Sequence, residues 1–325
     1  MRIAVLGAGM WGTAFAHLLL GRSHEVALVD CDPEVIASLA ETGRNVRYLP
    51  ELRLEGVEVL EVSQAQAALA GADLVTVAVP SCAFAAAVAD LAGSSPVLSL
   101  TKGLDPVSGG RLSTLVTERP VAVLSGPNFA EEIAAGLPAA AVVSSEDDEL
   151  AALLQTEIAS PVFRVYVNPD LTGVELCGAA KNVIALAAGA VDGLGLGDNA
   201  KAALMTRGLA EMTRLGLAYG ARADTFAGLA GMGDLIATCW HPHGRNRRAG
   251  EMIGRGVGPE QAREGIGTVE GMVAAPVLAE MAHKVGVELP ITEAVCKVLA
   301  GGEVRNLATE LMGRKPTGEW SAPRA

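Results

Sequence analysis

Short apolar runs recur along the first half of the chain, separated by Ala-rich stretches of helical period. The runs are Ile3–Leu6, Val26–Asp30, Leu74–Val79, Val97–Thr101, Val121–Ser125, Ala140–Ser144 and Val162–Val167. Several are apolar on successive residues rather than alternating, which is the pattern of strands buried on both faces. Helical stretches such as Ala83–Leu91 and Glu149–Ile158 lie between them. This alternation predicts an α/β fold with a mostly parallel, doubly wound sheet. The character changes after about Asn168. From Val174 to Tyr219, Ala, Leu, Met and Gly dominate with helical period, and helical pieces broken by Gly and Pro continue through Leu311. Two domains are therefore expected, a sheet domain over 1–168 and an all-helical one over 169–325, ending in a frayed polar tail from about Lys315.

Composition narrows the functional classes. Half the residues are hydrophobic but only 3% are aromatic, so the core must be close-packed aliphatic helix and strand. A net charge of −12 argues against a nucleic-acid or anionic-membrane partner. An anionic small molecule stays open, because a pocket with a few Lys and Arg sets its own field. Cys31, Cys82, Cys177, Cys239 and Cys296 are scattered and form no C-x-x-C pair. Neither a disulfide framework nor a cysteine metal site is suggested, and free thiols suit a reducing cytosol. No uninterrupted apolar stretch reaches the ~18 residues of a membrane span, and the N-terminus lacks the apolar region of a secretory signal. A cytoplasmic protein without an integral membrane segment is expected.

The clearest chemistry lies at the start. Arg2-Ile-Ala-Val-Leu-Gly7-Ala-Gly9-Met10-Trp11-Gly12 is a G-x-G-x-x-G joining an apolar strand to an apolar helix. Gly7 allows the tight turn, Gly9 lets a pyrophosphate touch the backbone, and Gly12 lets helix and strand pack closely. The helix opening near Trp11 then points free N–H groups at the anion. This is the fingerprint of a Rossmann-type dinucleotide site. The second strand ends in Asp30, 23 residues beyond Gly7, where a carboxylate can accept from the adenine ribose hydroxyls and repel a 2′-phosphate. No Arg lies at positions 31–33, so NAD is favoured, with NADP also allowed. Asp30 could instead cap the helix opening near Pro33, although Asp32 suits that job better.

Polar residues also stand out in three glycine-rich segments: Thr101-Lys102-Gly, Gly178-Ala-Ala-Lys181-Asn182, and Gly231-Met-Gly-Asp234 through Thr238. A basic fourth is Gly244-Arg245-Asn246-Arg247-Arg248. Each has a plain structural reading. Lys181 could snorkel to water, Asp234 could cap a helix, and the arginines could form a solvated face. Lys181 is the hardest to dismiss, since a charge in so apolar a run is out of place. Burial would draw its pKa down from about 10.4 and make it a usable proton donor and acceptor.

Taken together, these segments resemble NAD(P)-dependent glycerol-3-phosphate dehydrogenase of the bacterial type. The resemblance runs from Gly7 to about Leu311. It also includes Arg44-Asn45-Val-Arg47-Tyr48-Leu49-Pro50, Val79-Pro80-Ser81, Ser125-Gly126-Pro127-Asn128-Phe129-Ala130-Glu131-Glu132, Ala200-Lys201 through Glu211, and Val269-Glu270-Gly271. It implies hydride transfer between the nicotinamide and C2 of dihydroxyacetone phosphate or sn-glycerol 3-phosphate, supplying the glycerophospholipid backbone. By the same resemblance Lys181 is the general acid/base, oriented by Asp234, Asn182 and Thr238, and Lys102 is a second active-site lysine. Arg245 and Asn246 would bind the phosphate, with Gly244, Gly126 and Asn128 beside the substrate. Met10, Trp11, Cys31, Lys102, Ala130, Arg245, Thr268 and Glu270 would meet the cofactor together with the glycines and Asp30. No metal is indicated; His241 and His243 lack a patterned third ligand and read as loop residues near the phosphate.

This chain departs from the bacterial pattern at several places. Met10 stands for Ser or Ala, Asn128 for Ser or Thr, Ala139 for Thr and Gly244 for Ser, and Asp30-Cys31 differs from residues that often permit both cofactors. These changes bear on affinity and cofactor preference rather than reaction type. Two alternatives remain at this level: a paralogue reducing another phosphorylated or carboxylated ketone, and a non-catalytic NAD sensor. The apolar helical half also suggests a homodimer.

Overall fold

The computed structural model describes residues 1–89 and 91–305; the expected tail and the helical pieces beyond 305 lie outside the described residues, and of the predicted Ala83–Leu91 helix Asp90 does too, while Leu91 is not helical. The sheet half runs β1 (Arg2–Leu6), α1 (Met10–Leu20), β2 (Glu25–Asp30), α2 (Pro33–Thr42), β3 (Arg44–Asn45), β4 (Leu49–Arg53), β5 (Glu58–Glu61), α3 (Gln66–Ala70), β6 (Leu74–Val77), α4 (Ser81–Ala89), β7 (Val97–Ser99), β8 (Val121–Ser125), α5 (Ala130–Ala134), β9 (Ala139–Ser145), α6 (Asp148–Ile158) and β10 (Phe163–Val167). The helical half follows with α7 (Leu171–Leu194), α8 (Gly197–Ala218), α9 (Ala223–Ala227), α10 (Asp234–Trp240), α11 (Arg245–Gly254), α12 (Pro259–Ile266), α13 (Glu270–Lys284) and α14 (Pro290–Leu299).

Eight strands form one sheet in the order β10-β9-β8-β7-β6-β1-β2-β5. Every pairing is parallel except that of β8 with β9. β1 lies between β2 and β6, with Ile3 opposite Val26 on one side and Leu74 on the other. Strand order reverses there, and crevices at such switch points hold ligands beyond the carboxyl ends of the strands. β6 and β7 are buried along their whole length, as their unbroken apolar runs require. One face packs Phe15, Leu28, Leu98 and Leu124; the other packs Val29, Val75, Phe84 and Val97.

Three strands carried no apolar signal. β3 and β4 form a separate antiparallel hairpin, and β5 is the sheet edge. β4 and β5 are largely exposed and carry Pro50, Glu51, Glu58 and Glu61, as edge strands can. β6 and β7 also stop two residues short of the predicted Val79 and Thr101. The chain leaves the sheet there to carry Ser81 and Lys102 into the crevice.

α7 is long and apolar enough to cross a membrane, but 83% of its most apolar stretch is buried inside the protein. It is the central core helix, and its cluster extends to Leu104, Val123 and Val142 of the sheet half. Two polar clasps also join the helical half to the sheet half. Glu175 on α7 accepts from Ser113 N (2.9 Å), Ser113 Oγ (2.5 Å) and Arg111 Nη1 (2.9 Å). Glu270, opening α13, accepts from Ser81 N (3.0 Å) and Ser81 Oγ (2.5 Å).

Candidate active site

The glycine turn lies at the end of β1. Gly7 has φ +101°, and a Cβ there would sit 2.9 Å from the carbonyl carbon and oxygen of Ala78. At Gly12 a Cβ would fall 1.8 Å from Gly7 O, so α1 packs directly on its own turn. Gly9, by contrast, has open space above it. It is the N-cap of α1 and offers no side-chain cap, which leaves first-turn N–H groups for an anion. Met10 and Trp11 open the helix half-buried, and Trp11 Nε1 is buried without a partner. A closed floor with one open glycine suits a pyrophosphate, so these residues fit a dinucleotide.

Asp30 is already engaged. Its Oδ2 accepts from Ala8 N at 2.5 Å, and its Oδ1 accepts from Cys31 N (2.8 Å) and Asp32 N (2.9 Å). It therefore buttresses the turn and does not cap α2; that role falls to Asp32, which accepts from Glu34 N and Val35 N. Asn45, fully buried in the hairpin, donates to Ala8 O (2.7 Å) and Thr13 Oγ1 (2.9 Å). Sequence reasoning assigned Asn45 no role, and its only signal was its place in Arg44-Asn45-Val-Arg47-Tyr48.

The lysines converge on one carboxylate. Asp234 opens α10 directly after a π-helical turn, Leu229–Gly233, a feature frequent at functional sites. A Cβ at Gly231 would lie 2.1 Å from Phe226 O, so only glycine fits that turn. Asp234 is 2% exposed. Its Oδ1 receives Lys181 Nζ at 2.6 Å and its Oδ2 receives Lys102 Nζ at 2.9 Å. Lys181 also donates to Thr238 Oγ1 at 2.8 Å. It therefore does not snorkel to water, and Asp234 is no helix cap. Lys102 further donates to Gly126 O (2.8 Å) and Asn128 Oδ1 (2.7 Å). An ammonium has three donors. Lys102 has committed all three, whereas Lys181 keeps one free among the described residues.

Charge follows from this geometry. Burial alone would raise the Asp234 carboxyl, but Lys102 and Lys181 outweigh it and hold it below the usual carboxylate range. Burial draws the Lys102 amine down to about 8 against the pull of Asp234, and the charge on Lys181 adds to the lowering. The sequence argument for a depressed amine thus applies to Lys102. Two ammoniums on one carboxylate leave one net positive charge in a largely buried site.

α7 and α11 set the remaining spacing. Asn182 donates to Lys102 O (2.9 Å) and accepts from Asn246 Nδ2 (2.9 Å), and Asn246 Oδ1 accepts from Gly271 N (2.8 Å). The helices touch backbone to backbone, because a Cβ at Gly189 would lie 1.9 Å from Arg247 O and one at Gly250 1.9 Å from Leu186 O. Arg247 Nε and Lys201 Nζ both reach Asp192 Oδ2 at 2.8 Å, pinning α11 to the end of α7. The basic segment therefore divides. Arg247 is structural, while Arg245 is exposed at the start of α11 after Gly244 and has no side-chain partner among the described residues.

Gly126 has φ +127°, and a Cβ there would lie 3.1 Å from Ala140 O. Asn128 Nδ2 is buried without a partner beside Lys102. Ala130 opens α5, and the preceding Phe129 stacks on His241 with ring centroids 4.1 Å apart. Among the described residues no three His, Cys, Asp or Glu side chains group as metal ligands. Thr268 is half-buried ahead of Glu270. A Cβ at Gly103 would meet Ser81 Cβ at 2.6 Å and Glu270 Oε2 at 2.8 Å. The lysine cluster is thereby joined through Gly103 and Ser81 to Ala78, the floor beneath Gly7.

A glycine turn at a parallel sheet's switch point, joined to helices that bury two lysines on one aspartate, defines a Rossmann-type dehydrogenase. Comparison with known proteins narrows this. Residues 2–151 match the NAD-dependent glycerol-3-phosphate dehydrogenase N-terminus and residues 170–309 match its C-terminus. The chain is 46% identical over 326 residues to glycerol-3-phosphate dehydrogenase [NAD(P)+] of Moorella thermoacetica, covering 98% of this chain and 97% of that one. It is also 46% identical to the enzyme of that name from Geobacillus kaustophilus, covering 96% and 94%. The crystal structure of glycerol-3-phosphate dehydrogenase from Coxiella burnetii matches with a TM-score of 0.92 and 38% identity, covering 96% of this chain and 98% of that one. The chain belongs to the NAD-dependent glycerol-3-phosphate dehydrogenase family.

Proposed function

We propose that this protein interconverts dihydroxyacetone phosphate and sn-glycerol 3-phosphate with NAD(H) or NADP(H), and so supplies the glycerophospholipid backbone. The reading is carried by Lys181: its ammonium is held by Asp234 and Thr238 and keeps one proton uncommitted. A nicotinamide bound by the glycine turn would supply the hydride exchange at C2. As negative charge collects on the C2 oxygen, Lys181 gives that oxygen its free proton, and in oxidation it takes the hydroxyl proton. Asp234 stays anionic throughout and holds the Lys181 nitrogen in place. Lys102 adds positive charge beside the developing alkoxide, with Asn128 and Gly126 fixing its ammonium. Arg245 and Asn246 take the phosphate, whose binding fixes C2 relative to Lys181. The turn from Gly7 to Gly12 takes the cofactor pyrophosphate, and Met10, Trp11, Asp30, Cys31, Ala130, Thr268 and Glu270 line the rest of its path.

Residues 1–168 are proposed to hold the cofactor and 169–325 to supply the lysine, the aspartate and the phosphate site. The protein works in the cytoplasm, a reading supported by five cysteines that form no disulfide. A homodimer through the helical half is supported by exposed Leu196, Leu217, Ile236 and Trp240. The test mixes the purified protein with NADH and dihydroxyacetone phosphate and follows loss of reduced-nicotinamide absorbance. Turnover is expected with this ketone and is expected to vanish in Lys181→Ala, while NADH affinity stays within about threefold. Turnover confined to another keto substrate, or a near-normal rate in the variant, refutes the reading.

A further inference from the structure

An ion pair outside the lysine cluster stands at the carboxyl end of β2. Arg47 Nη1 lies 2.6 Å from Asp32 Oδ2. Arg47 belongs to the connection between β3 and β4, two residues after Asn45. Because Asn45 is hydrogen-bonded to Ala8 O and Thr13 Oγ1, the hairpin is fixed to the glycine turn itself. The hairpin therefore presents Arg47 from a set backbone position relative to both the turn and the end of the second strand. In a doubly wound sheet the adenosine ribose of a bound dinucleotide lies at that strand end.

Of the other charged groups nearby, Glu61 faces Asp30 from the edge strand and adds a further negative charge, and two are already committed. Asp30 accepts three backbone N–H groups through its two oxygens. Arg44 Nη1 donates to Pro50 O (2.9 Å) and Glu51 O (2.7 Å) inside the hairpin. Asp32 caps α2 through Oδ1 and holds Arg47 through Oδ2. The Arg47 side chain is 56% exposed, free enough to turn from one anion to another.

We infer that the Asp32–Arg47 pair discriminates a 2′-hydroxyl from a 2′-phosphate on the cofactor's adenosine ribose. The inference rests on the reading that the glycine turn holds a nicotinamide dinucleotide. An unphosphorylated ribose leaves the pair closed. A 2′-phosphate competes with the Asp32 carboxylate for the guanidinium, whose planar donor fork suits phosphate. It must also approach the Asp30 and Asp32 carboxylates, which repel it. NADH is thus preferred, and NADPH is admitted when Arg47 leaves Asp32. Positions 31–33 hold no arginine; the guanidinium comes instead from the hairpin.

The test measures dissociation constants of NADH and NADPH by nicotinamide fluorescence on the purified full-length protein, without substrate. Asp32→Asn keeps a good helix cap and releases Arg47; NADPH affinity is expected to rise about tenfold while NADH stays within about twofold. In Asp32→Asn/Arg47→Gln that gain is expected to disappear, again with NADH within about twofold. Parallel changes for both cofactors, or a gain that survives loss of Arg47, overturn the inference alone. Failure of the native protein to bind NADH overturns the dinucleotide reading and the inference with it.

Discussion

Gly189 sits in the seam between the helix that carries Lys181 and the helix that carries Arg245. A Cβ at that position would lie 1.9 Å from Arg247 O and 2.9 Å from Glu251 N. Both are backbone atoms, so no rotamer change relieves the clash. Reaching an ordinary 3.4 Å contact requires α11 to move away by about 1.5 Å. That shift would break the Asn246–Asn182 bond, now 2.9 Å, and the Arg247–Asp192 contact, now 2.8 Å. Arg245 would withdraw from the lysines with its helix. Overpacking of this kind costs about 1–3 kcal/mol of stability, and a displacement near 1 Å at a positioning group can cost about 10²-fold in rate. Gly189→Ala is therefore expected to lower kcat/KM for dihydroxyacetone phosphate about 10²-fold, with KM carrying the larger share, while NADH affinity stays within about twofold. Steady-state kinetics and a fluorescence titration measure the two quantities. Gly258→Ala is the control, because a Cβ there meets nothing within 4 Å. A Gly189→Ala enzyme with native melting temperature and native KM would refute the idea that the seam sets the lysine-to-arginine distance.

Arg245→Ala is expected to raise KM for the phosphorylated substrate, at about 2–4 kcal/mol in kcat/KM, and an unchanged KM removes it from the phosphate site. Lys102, drawn down to about 8, is cationic below that pH; kcat/KM for ketone reduction should fall as pH rises through it. In Lys102→Arg, whose guanidinium stays charged, a pH profile that keeps the same inflection would refute the assignment. Glu211 is buried and accepts from Ile291 N and Thr292 N at the start of α14, and burial raises its carboxyl from 4.5 to about 7. Between those values the folded state binds the extra proton, so stability should fall with rising pH, at most about 1.4 kcal/mol per unit. Denaturant titrations of Glu211→Gln across that window should show a flatter slope, and an identical slope would refute the account.

The parallel core of the fold was legible because β1, β6, β7 and β8 must be apolar on successive residues to be buried on both faces. The hairpin and β5 were not, because their exposed positions set no such demand. Lys181 stood out as a charge within an apolar helix, and its partner Asp234 lay in a glycine-rich segment in which Gly231 is required by its close approach to Phe226 O. Asn45 and Arg47 gave no comparable signal. Their importance depends on where the hairpin docks, a tertiary fact that local pattern does not carry. The Arg245–Arg248 run likewise could not be divided from sequence. Only the packing of α11 on α7 assigns Arg247 to Asp192 and leaves Arg245 facing out.

Lys181, the proposed proton donor, and Arg245, the proposed phosphate ligand, ride on separate helices that meet through bare backbone. Exchange of the residue at 245, or regrowth of the short loop before it, can proceed without touching the amine, its carboxylate or the nucleotide fold. Such a layout lets the substrate-end contacts change while the lysine–aspartate cluster is kept, and it marks 242–245 as the stretch to randomise in a search for new substrates, with Asn246 retained for its bonds to Asn182 and Gly271.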